Sequence, residues 1–388
     1  VYLWPMKIIV VNTEALSKAF LEMPFSIYKN DKNYIRPLDK DIEEVFDQKK
    51  NKFFRHGECE RWLVEDADGK YIARLAVFIN KKYVQDQPTG GCGFFECINQ
   101  QEAANFLFDH AKQWFQNRNM EAMDGPINFG ERDRWWGLLV NGFDEPLYCM
   151  NYNPSYYQNL FENYGFKTYF NQLCFGMDVT TPLSAKMHKW HDVYEKDPDF
   201  HVEHIRKNNL EKYADDFCTI YNKAWAKHGG GKTMELKQAK LLFGKMKPVI
   251  DEKITWFVYY KNQPIGMWVN IPDLNQYFKH FNGKFGWFQK IHFLYLKMTG
   301  ACKRFVGVVY GIVPEWQGKG TDAYMIVECG KVVQPNLRYK KYEMQWIGDF
   351  NPKMVNLAAN LEAHEVRRLT TYRFLFDDQK EFKRHPIL

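Results

Sequence analysis

The sequence predicts an α/β (α+β) protein made of two similar halves. An apolar β-type run, 305–313, leads through a basic glycine-bearing turn into a helix-like run, 323–333. A fainter copy of this order lies upstream, where a strand pattern at 91–98 precedes an amphipathic helix pattern at 100–118. A chain of 388 residues can bury two separate cores. Turn composition at Thr180-Thr181-Pro182 predicts domains 1–179 and 180–388.

Each half shows a series of strand and helix patterns. In the first half, strands are predicted at 7–11, 60–65, 71–79, 91–98, 120–128 and 173–177, and helices at 14–25, 41–49 and 100–118. In the second half, strands are predicted at 200–204, 254–260, 264–271, 305–313, 342–347 and 371–376, and helices at 210–227, 235–246, 323–333 and 351–363. The second half therefore runs strand, two helices, hairpin, strand, loop, helix, strand, helix, strand.

The turn between the 305–313 strand and the next helix has the composition of a phosphate-binding loop. Glycine lets the backbone come close to an anion, and free N–H groups at a helix N-terminus face it. Lys319 adds a positive charge between Gly318 and Gly320. The turn therefore predicts a pyrophosphate site. A tight turn without any ligand is the alternative, because short glycine motifs recur by chance.

The pattern Gln317-x-x-Gly320-x-Asp322 resembles the acyl-CoA loop of the GNAT N-acyltransferases, although that family has Gly or Ala where Asp322 stands. Downstream, Asn351 and Met354 match two further family positions, whereas Ala358 occupies the usual place of a tyrosine. Upstream, Phe161-Glu162-Asn163-Tyr164-Gly165-Phe166 is similar to the family's Tyr-Glu-Lys-x-Gly-Phe ending. The first half lacks the phosphate loop.

The resemblance implies two tandem GNAT-like domains, each a mixed, mostly antiparallel twisted sheet flanked by helices. The first would be degenerate, and the second would hold the acyl-CoA loop. Further segments, Met23–Lys29, Gly125–Asn128, Asn141–Asp144 and Ile271–Asn275, are similar to a bacterial GNAT-like family of unknown substrate. The chain is accordingly expected to be bacterial.

The resemblance also implies an activity, a cofactor and site residues. The protein would transfer an acyl group, acetyl in the first instance, from acetyl-CoA or another acyl-CoA to the amine of a small molecule or peptide. Binding of the cofactor would involve seven residues of the loop region and Asn351, namely Ile312, Val313, Gln317, Gly318, Lys319, Gly320, Thr321 and Asn351. Glu343 is the candidate general base and Tyr372 the candidate acid for the leaving thiolate. No metal is expected.

Two other classes of function remain open. A non-catalytic acyl-CoA-binding or regulatory protein is favoured by Asp322 and by the missing tyrosine. Engagement of nucleic acid or aminoacyl-tRNA would use the basic and aromatic stretch 279–304, which could also lie on a membrane surface. The preferred interpretation of that stretch is an amphipathic helix whose Phe288, Ile291, Phe293, Leu294, Tyr295 and Met298 pack on the sheet.

Composition favours a cytoplasmic protein. The net charge of +6 is mild, so nucleic-acid binding is not indicated by charge alone. The eight cysteines show no metal-binding spacing and are expected to be free thiols. Neither a signal peptide nor a membrane span is predicted. Gly229-Gly230-Gly231-Lys232 is interpreted as a connection between helices rather than a nucleotide P-loop, and His364–Arg368 as a solvated turn.

Overall fold

The fold of the chain is given by a computed structural model. It describes residues 5–83, 85–225, 233–336 and 338–387, so the glycines at 229–231 lie outside the described residues. The strands are β1 Lys7–Val10, β2 Gly57–Glu65, β3 Tyr71–Asn80, β4 Thr89–Cys97, β5 Ala122–Gly125, β6 Leu138–Asn141, β7 Lys167–Asp178, β8 Phe200–His204, β9 Trp256–Tyr260, β10 Gln263–Pro272, β11 Arg304–Ile312, β12 Lys341–Met344, β13 Ile347–Gly348 and β14 His364–Leu375.

Helices lie between these strands, and several of them were not predicted from the sequence. The α-helices are α1 Glu14–Glu22, α2 Pro24–Tyr28, α3 Asp39–Phe46, α4 Gln101–Gln116, α5 Tyr157–Tyr164, α6 Ala185–Glu195, α7 Leu210–Trp225, α8 Leu236–Met246, α9 Asn275–Phe278, α10 Trp287–Met298, α11 Thr321–Val333 and α12 Pro352–Asn360. Short 3₁₀ turns lie at Lys52–Arg55, Lys207–Asn209, Glu252–Ile254 and Pro314–Trp316. The predicted fold class, a mixed and mostly antiparallel sheet flanked by helices, is confirmed.

All described strands belong to one sheet. Its order is β1-β2-β3-β4-β5-β14-β7-β12-β11-β10-β9-β8, with β6 beside β14 and β13 beside β7. The pairs β4–β5 and β11–β12 are parallel, and the other described pairs are antiparallel. Each parallel pair is bridged by a helix, α4 or α11, as a parallel crossover requires.

The two halves exchange their long closing strands. β7, the last strand of the first half, pairs with β12 of the second half, and β14 pairs with β5 of the first half. β7 and β14 also pair with each other over most of their length, from His364–Gly176 to Arg373–Lys167. The proposed chain boundary at 179/180 therefore does not divide the sheet, because the backbone hydrogen bonds of each half depend on a strand from the other.

The same irregularity occurs in both halves. In β4, two residues between Gly93 and Glu96 face one residue of β3, and Phe94 has a φ of +52°. In β11, Val308 is the extra residue between Gly307 and Val309 opposite β10. A bulge of this kind bends the strand and redirects its backbone groups. Because each bulged strand leads into the helix that follows it, the internal duplication is visible in the backbone as well as in element order.

Two large apolar clusters support the two ends of the sheet. One packs α4 and α5 on β2–β5 and includes Trp62, Phe108 and Phe161. The other packs α7 and α11 on β9–β12 and includes Phe257 and Met325. Burial on this scale, at roughly 25 cal/mol for each Å² of apolar surface, is the main stabilising contribution in a protein of this size.

Two predictions of burial are wrong. α10 forms within 279–304, but only Phe293 and Leu296 of its residues are buried, whereas Phe288, Ile291, Leu294, Tyr295 and Met298 are exposed. The helix packs against the rest of the protein through Phe293 and Leu296. The stretch 364–368 is not a solvated turn; it begins β14, and Arg367 is buried there.

Candidate acyl-CoA site

The glycine loop joins β11 to α11 at one end of the sheet. A 3₁₀ turn, Pro314–Trp316, follows β11, and Gly320 is the N-cap of α11. Gly318 and Gly320 have φ values of +72° and +76°, the left-handed conformation that glycine adopts without steric cost. A residue with a Cβ would strain the turn at either position. The loop therefore places the first N–H groups of α11 at its open end, where a helix favours an anion.

A helix that the sequence analysis did not predict covers one side of this loop. On α6, Tyr194 donates a 2.5 Å hydrogen bond from its hydroxyl to the carbonyl of Lys319. The indole of Trp190 lies against Gly320, where an added Cβ would come within 2.4 Å of the ring. Gly320 is thus required both by its backbone conformation and by close packing. Ser184, which caps α6 by accepting from the N–H of Met187, was the sequence signal for this helix.

The parallel strands β11 and β12 separate beside the loop. Their pairing runs from Arg304–Lys341 to Gly307–Met344, and a last hydrogen bond joins the N–H of Gln345 to the carbonyl of Gly307. β11 continues to Ile312 without pairing to β12, and its bulge at Val308 coincides with the point of separation. The gap between the two strands exposes one backbone edge of β11 and leads directly to the glycine loop.

Residues at the end of β11 are held by the loop itself. The side-chain amide of Gln317 donates to the carbonyl of Ile312 at 2.9 Å, and the N–H of Val313 donates to Ile265. The Thr321 hydroxyl donates to the carbonyl of Trp316 at 3.4 Å, inside the turn. Gln317 and Thr321 therefore shape the loop through their side chains. The Lys319 side chain is exposed, and its ammonium group lies 5.1 Å from the centre of the Trp316 ring.

Asp322 lies in the first turn of α11, where an anion would bind. The hydroxyl of Tyr310, on the unpaired part of β11, donates to its Oδ2 at 3.1 Å. Burial, followed by the charge of Asp322, raises the pKa of Tyr310 well above its ordinary value, so the hydroxyl remains a donor at neutral pH. This hydrogen bond offsets part of the negative charge next to the loop.

Asn351 occupies the N-cap of α12. Its side chain accepts from the N–H of Met354 at 3.3 Å, and its own N–H donates to Gly348. The residue therefore has a structural role in starting the helix, as Asn commonly does at this position. The contacts of the described residues do not join it to the Gln317–Thr321 loop, so its predicted role in binding the cofactor stays a prediction.

Glu343 lies at the base of the gap, on β12, and is buried. Its Oε1 accepts from Nε of Arg367 at 2.7 Å, and its Oε2 accepts from Nη1 of Arg304 at 3.2 Å. Arg304 also binds Asp273 at 2.8 Å. Both carboxylate oxygens of Glu343 are therefore engaged by guanidinium N–H groups, and its predicted role as general base stays a prediction.

The same buried charges join the two halves. Arg304 and Arg367 both donate to the carbonyl of Glu145, and Arg367 also reaches the carbonyls of Gly142 and Asp144. Nδ2 of Asn275 donates to the carbonyl of Pro146. Two segments singled out in the sequence, 141–144 and 271–275, therefore meet here as an interface and not as a catalytic centre.

Tyr372 is not brought to the glycine loop. It lies on the part of β14 that pairs with Gly125 of β5, within the apolar cluster of the first half. Its hydroxyl donates to Glu162 at 2.8 Å, and burial, followed by that hydrogen bond, raises its pKa. The strand exchange explains this placement, because it carries the end of β14 away from β11 and into the other half of the sheet.

An apolar pocket lies between α11 and the sheet. Its lining includes Phe305, Tyr342, Cys329, Gly330 and Leu361. The Tyr342 hydroxyl accepts from the indole N–H of Trp268 at 3.0 Å and lies close to Gly307, where an added Cβ would come within 2.3 Å of it. Tyr342 thus lies between the pocket and Gly307, the residue of β11 that immediately precedes the bulge.

The described cysteines are all unpaired thiols. All of them except Cys59 are buried. Burial raises the pKa of the Cys302 thiol to about 11 and that of the Cys97 and Cys149 thiols to about 12. Thiols with such pKa values are poor nucleophiles at neutral pH, because the thiolate is the reactive form.

One cluster has metal-ligand composition. Side-chain atoms of His191, Glu195 and Glu328 lie within 4.8 Å of one another. The ammonium group of Lys331 lies 2.7 Å from Glu328 and 3.3 Å from Glu195, and supplies positive charge at the same place. The cluster therefore has the character of an ion-pair network that fastens α6 to α11.

These features, a duplicated half with a bulged strand, a separated parallel pair and a glycine loop at a helix N-terminus, define a tandem GNAT fold. A tandem GNAT protein from the clavulanic acid biosynthesis pathway superposes with a TM-score of 0.56 and 8% sequence identity, over 97% of this chain and 100% of that chain. The identity is low, and the likeness is one of fold.

Two curated proteins are similar in sequence over nearly the whole chain. A bacterial ceramide synthase of Caulobacter vibrioides is 25% identical over 380 residues, which cover 95% of this chain and 97% of the relative. Protein YghO of Escherichia coli is 23% identical over 369 residues, 92% of each chain. No family model matches the sequence. None of the described helices combines the length and apolar character needed to cross a bilayer.

Proposed function

We propose that this protein is an acyl-CoA-dependent N-acyltransferase whose acceptor is the amine of a long-chain amino alcohol, giving an amide of the ceramide type. The observation that carries the proposal is the gap between β11 and β12, which leads from a strand bulge into a glycine loop at a helix N-terminus. The similarity of nearly the full chain to a ceramide synthase supports the choice of acceptor.

The cofactor would bind along the second half. The pyrophosphate of CoA would lie against Gly318, Lys319 and Gly320 and the first N–H groups of α11, where glycine conformation, helix dipole and a basic side chain act together. The pantetheine arm would follow the open edge of β11 beside Ile312 and Val313. The amide groups of the pantetheine arm would then meet backbone groups of β11 that are not paired with β12.

The bulge at Val308 would hold the reacting thioester. N–H groups redirected by a bulge can donate to a carbonyl oxygen and stabilise the negative charge that develops on it during acyl transfer. The amine nitrogen would form a bond to the thioester carbon, and the carbon–sulfur bond would break. One proton of the amine would end on the thiol of the released CoA, so the reaction needs no further reactant.

The apolar pocket beneath α11 encloses about 50 Å³ and would receive part of the acyl chain. It is lined by aromatic and aliphatic side chains such as Phe305 and Leu361, and by Tyr342, whose hydroxyl lies next to Gly307, one residue before the bulge. An apolar chain gains free energy by leaving water for such a pocket. We therefore propose that a long-chain acyl-CoA, and not acetyl-CoA, is the preferred donor.

Glu343 would act as a positioning residue in this scheme. Its two guanidinium partners hold β12 against β14 and the 141–146 segment, and so fix the width of the gap between β11 and β12. Tyr372 would stabilise the first half, since its hydroxyl is bound to Glu162. We propose accordingly that the reaction depends on positioning and backbone donors near Val308 more than on either of these side chains.

The experiment that tests the function is direct. Purified protein would be incubated with acetyl-, octanoyl- or palmitoyl-CoA and with sphinganine or a short-chain amino alcohol, and both free CoA thiol and amide product would be measured. We expect amide formation with palmitoyl-CoA and sphinganine, in equal amount to the released thiol. Thiol release without amide, or reaction with acetyl-CoA alone, would contradict the proposal.

A non-catalytic acyl-CoA-binding role is the second candidate. It is favoured by Asp322 beside the loop, by Ala358 at the position where the related family has tyrosine, and by the engagement of Glu343 with two arginines. The same experiment separates the two roles, because this one predicts acyl-CoA binding with no product from any acceptor.

A further inference from the structure

The most unusual surface of the protein is one face of α10. Six large apolar side chains on it are more than half exposed: Trp287 63%, Phe288 66%, Ile291 57%, Leu294 55%, Tyr295 63% and Met298 86%. Their spacing follows the α-helical repeat, so that they form a single stripe along the helix. The opposite side of the helix, with Phe293 and Leu296, is buried against the protein. Scattered exposed apolar residues are ordinary, but a continuous stripe marks an interaction surface.

The charged residues of the segment that carries this stripe are all basic, although Asp39 and Glu145 from other segments lie near Lys284 and Lys279. From residue 274 to residue 314 the sequence contains no aspartate or glutamate, but it has lysines at positions 279, 284, 290, 297 and 303. Lys284 and Lys290 are exposed next to the stripe, and Lys297 turns toward the carbonyl of Pro248. An apolar face bordered by lysines is complementary to a bilayer surface that carries anionic lipid, where the rings enter the headgroup region and the ammonium groups meet phosphates.

The position of α10 in the fold is compatible with binding of its apolar face to a membrane surface. The helix ends shortly before β11 begins at Arg304, whereas the glycine loop follows the other end of β11. A nine-residue strand is about 30 Å long. The apolar face is therefore at the end of β11 opposite the loop, and the apolar pocket beside Phe305 is near the same end. A bound nucleotide would remain on the water side while apolar substrates entered from the other.

We infer that α10 docks this protein on membrane surfaces rich in anionic phospholipid, with the Trp287–Met298 stripe inserted at the interface and Lys284 and Lys290 on lipid phosphates. The inference stands on the exposed face and its charges, and does not require the proposed reaction. If both hold, the protein collects a long-chain amine from the bilayer and acylates it there.

The test is sedimentation with vesicles of phosphatidylcholine alone or with one quarter phosphatidylglycerol, without CoA or amine. Wild type should bind the anionic vesicles, and binding should fall at least tenfold in F288S/L294S and in K284E/K290E. The matched control V10S/V193S changes two other exposed apolar residues and should bind like wild type. Thermal unfolding of each variant separates lost docking from lost folding.

Three results would overturn the inference. Wild type could fail to sediment with either vesicle, or F288S/L294S could bind as wild type does. Light scattering could also show a dimer that F288S/L294S abolishes while no vesicle is bound, which would assign the face to a second copy of the chain. Since no substrate is present, failure here leaves the proposed acyl transfer untouched, and failure of the transfer assay leaves docking untouched.

Discussion

Nε of Arg367 lies 2.7 Å from Oε1 of Glu343, although the two residues belong to strands on opposite sides of β7. Both side chains are buried, and Arg304 completes the contact on the other oxygen. Through the carbonyls of the 142–145 segment, this charge cluster links the second half of the chain to the first. The cluster therefore holds the two halves of the chain together beside the proposed site.

Replacing Glu343 by Gln should destabilise the protein without changing the pH profile of turnover. The variant leaves two buried guanidinium groups with less compensating charge, and removal of one partner of a buried pair costs about 3–5 kcal/mol. Urea unfolding measures the loss. Glu365→Gln, which weakens the more exposed pair with Arg368, is the control and should cost less than about 1 kcal/mol. A stable Glu343→Gln protein with a flattened pH profile would contradict this prediction and support Glu343 as the general base.

Replacing Asp322 by Asn should tighten CoA binding. The variant removes a negative charge from the first turn of α11 and keeps a side chain that Tyr310 can still hydrogen-bond. Two like charges about 4 Å apart in water repel each other by about 1 kcal/mol, and relief of such a repulsion corresponds to an affinity gain of about fivefold. Titration calorimetry at low salt measures the change. Weaker binding by Asp322→Asn would show that Asp322 contributes to the cofactor site.

Gly330 should control the length of acyl chain that the protein accepts. Gly330 lines the apolar pocket, and an added Cβ would make an ordinary 3.5 Å contact with Leu183. Gly330→Ala should therefore fold well and gain up to about 1 kcal/mol, because glycine is unfavourable within a helix. Gly330→Leu should fill the pocket and shift preference from palmitoyl- to octanoyl-CoA. If the ratio of the rate with palmitoyl-CoA to the rate with octanoyl-CoA is the same in Gly330→Ala and Gly330→Leu, the acyl chain does not bind in this pocket.

The buried thiols should resist alkylation in the folded protein. Burial raises the pKa of Cys302 to about 11, so the thiolate fraction at pH 8 is small. Mass spectrometry after brief iodoacetamide treatment should show little modification of native protein, and eight adducts once it is unfolded in urea. Rapid modification of one native thiol, with loss of acyl transfer, would point to a cysteine nucleophile instead.

Features of the fold that depend on local sequence pattern could be predicted from the sequence. The strand at 200–204 has the predicted limits, and the glycine loop sits between strand and helix as expected. The strand exchange could not be derived, because which distant strands pair is decided by register and not by composition. Tyr372 was assigned to the second half for this reason, although β14 carries it into the first.

The exposure of α10 was missed for a different physical reason. Apolar spacing in a helix shows that one face leaves water, but it does not show what covers that face. The partners of Glu343, whose residue type is compatible with a base, could not be predicted from the sequence either. Only the positions of Arg304 and Arg367, which lie far from it in sequence, reveal a buried ion cluster.

CoA binding by variants of Gly318 would show whether the glycine loop is an acyl-CoA site. At this position φ is +72° and space around a Cβ is open, so Asp and Asn, which tolerate the left-handed region better than most residues, should strain the turn little and to a similar extent. Gly320 is less suitable, because Trp190 would be displaced by any side chain. In calorimetry with octanoyl-CoA, Gly318→Asn should bind within a few-fold of wild type, whereas Gly318→Asp should bind at least tenfold more weakly. Equal affinity in the two variants, or no binding by wild type, would contradict an acyl-CoA site at this loop.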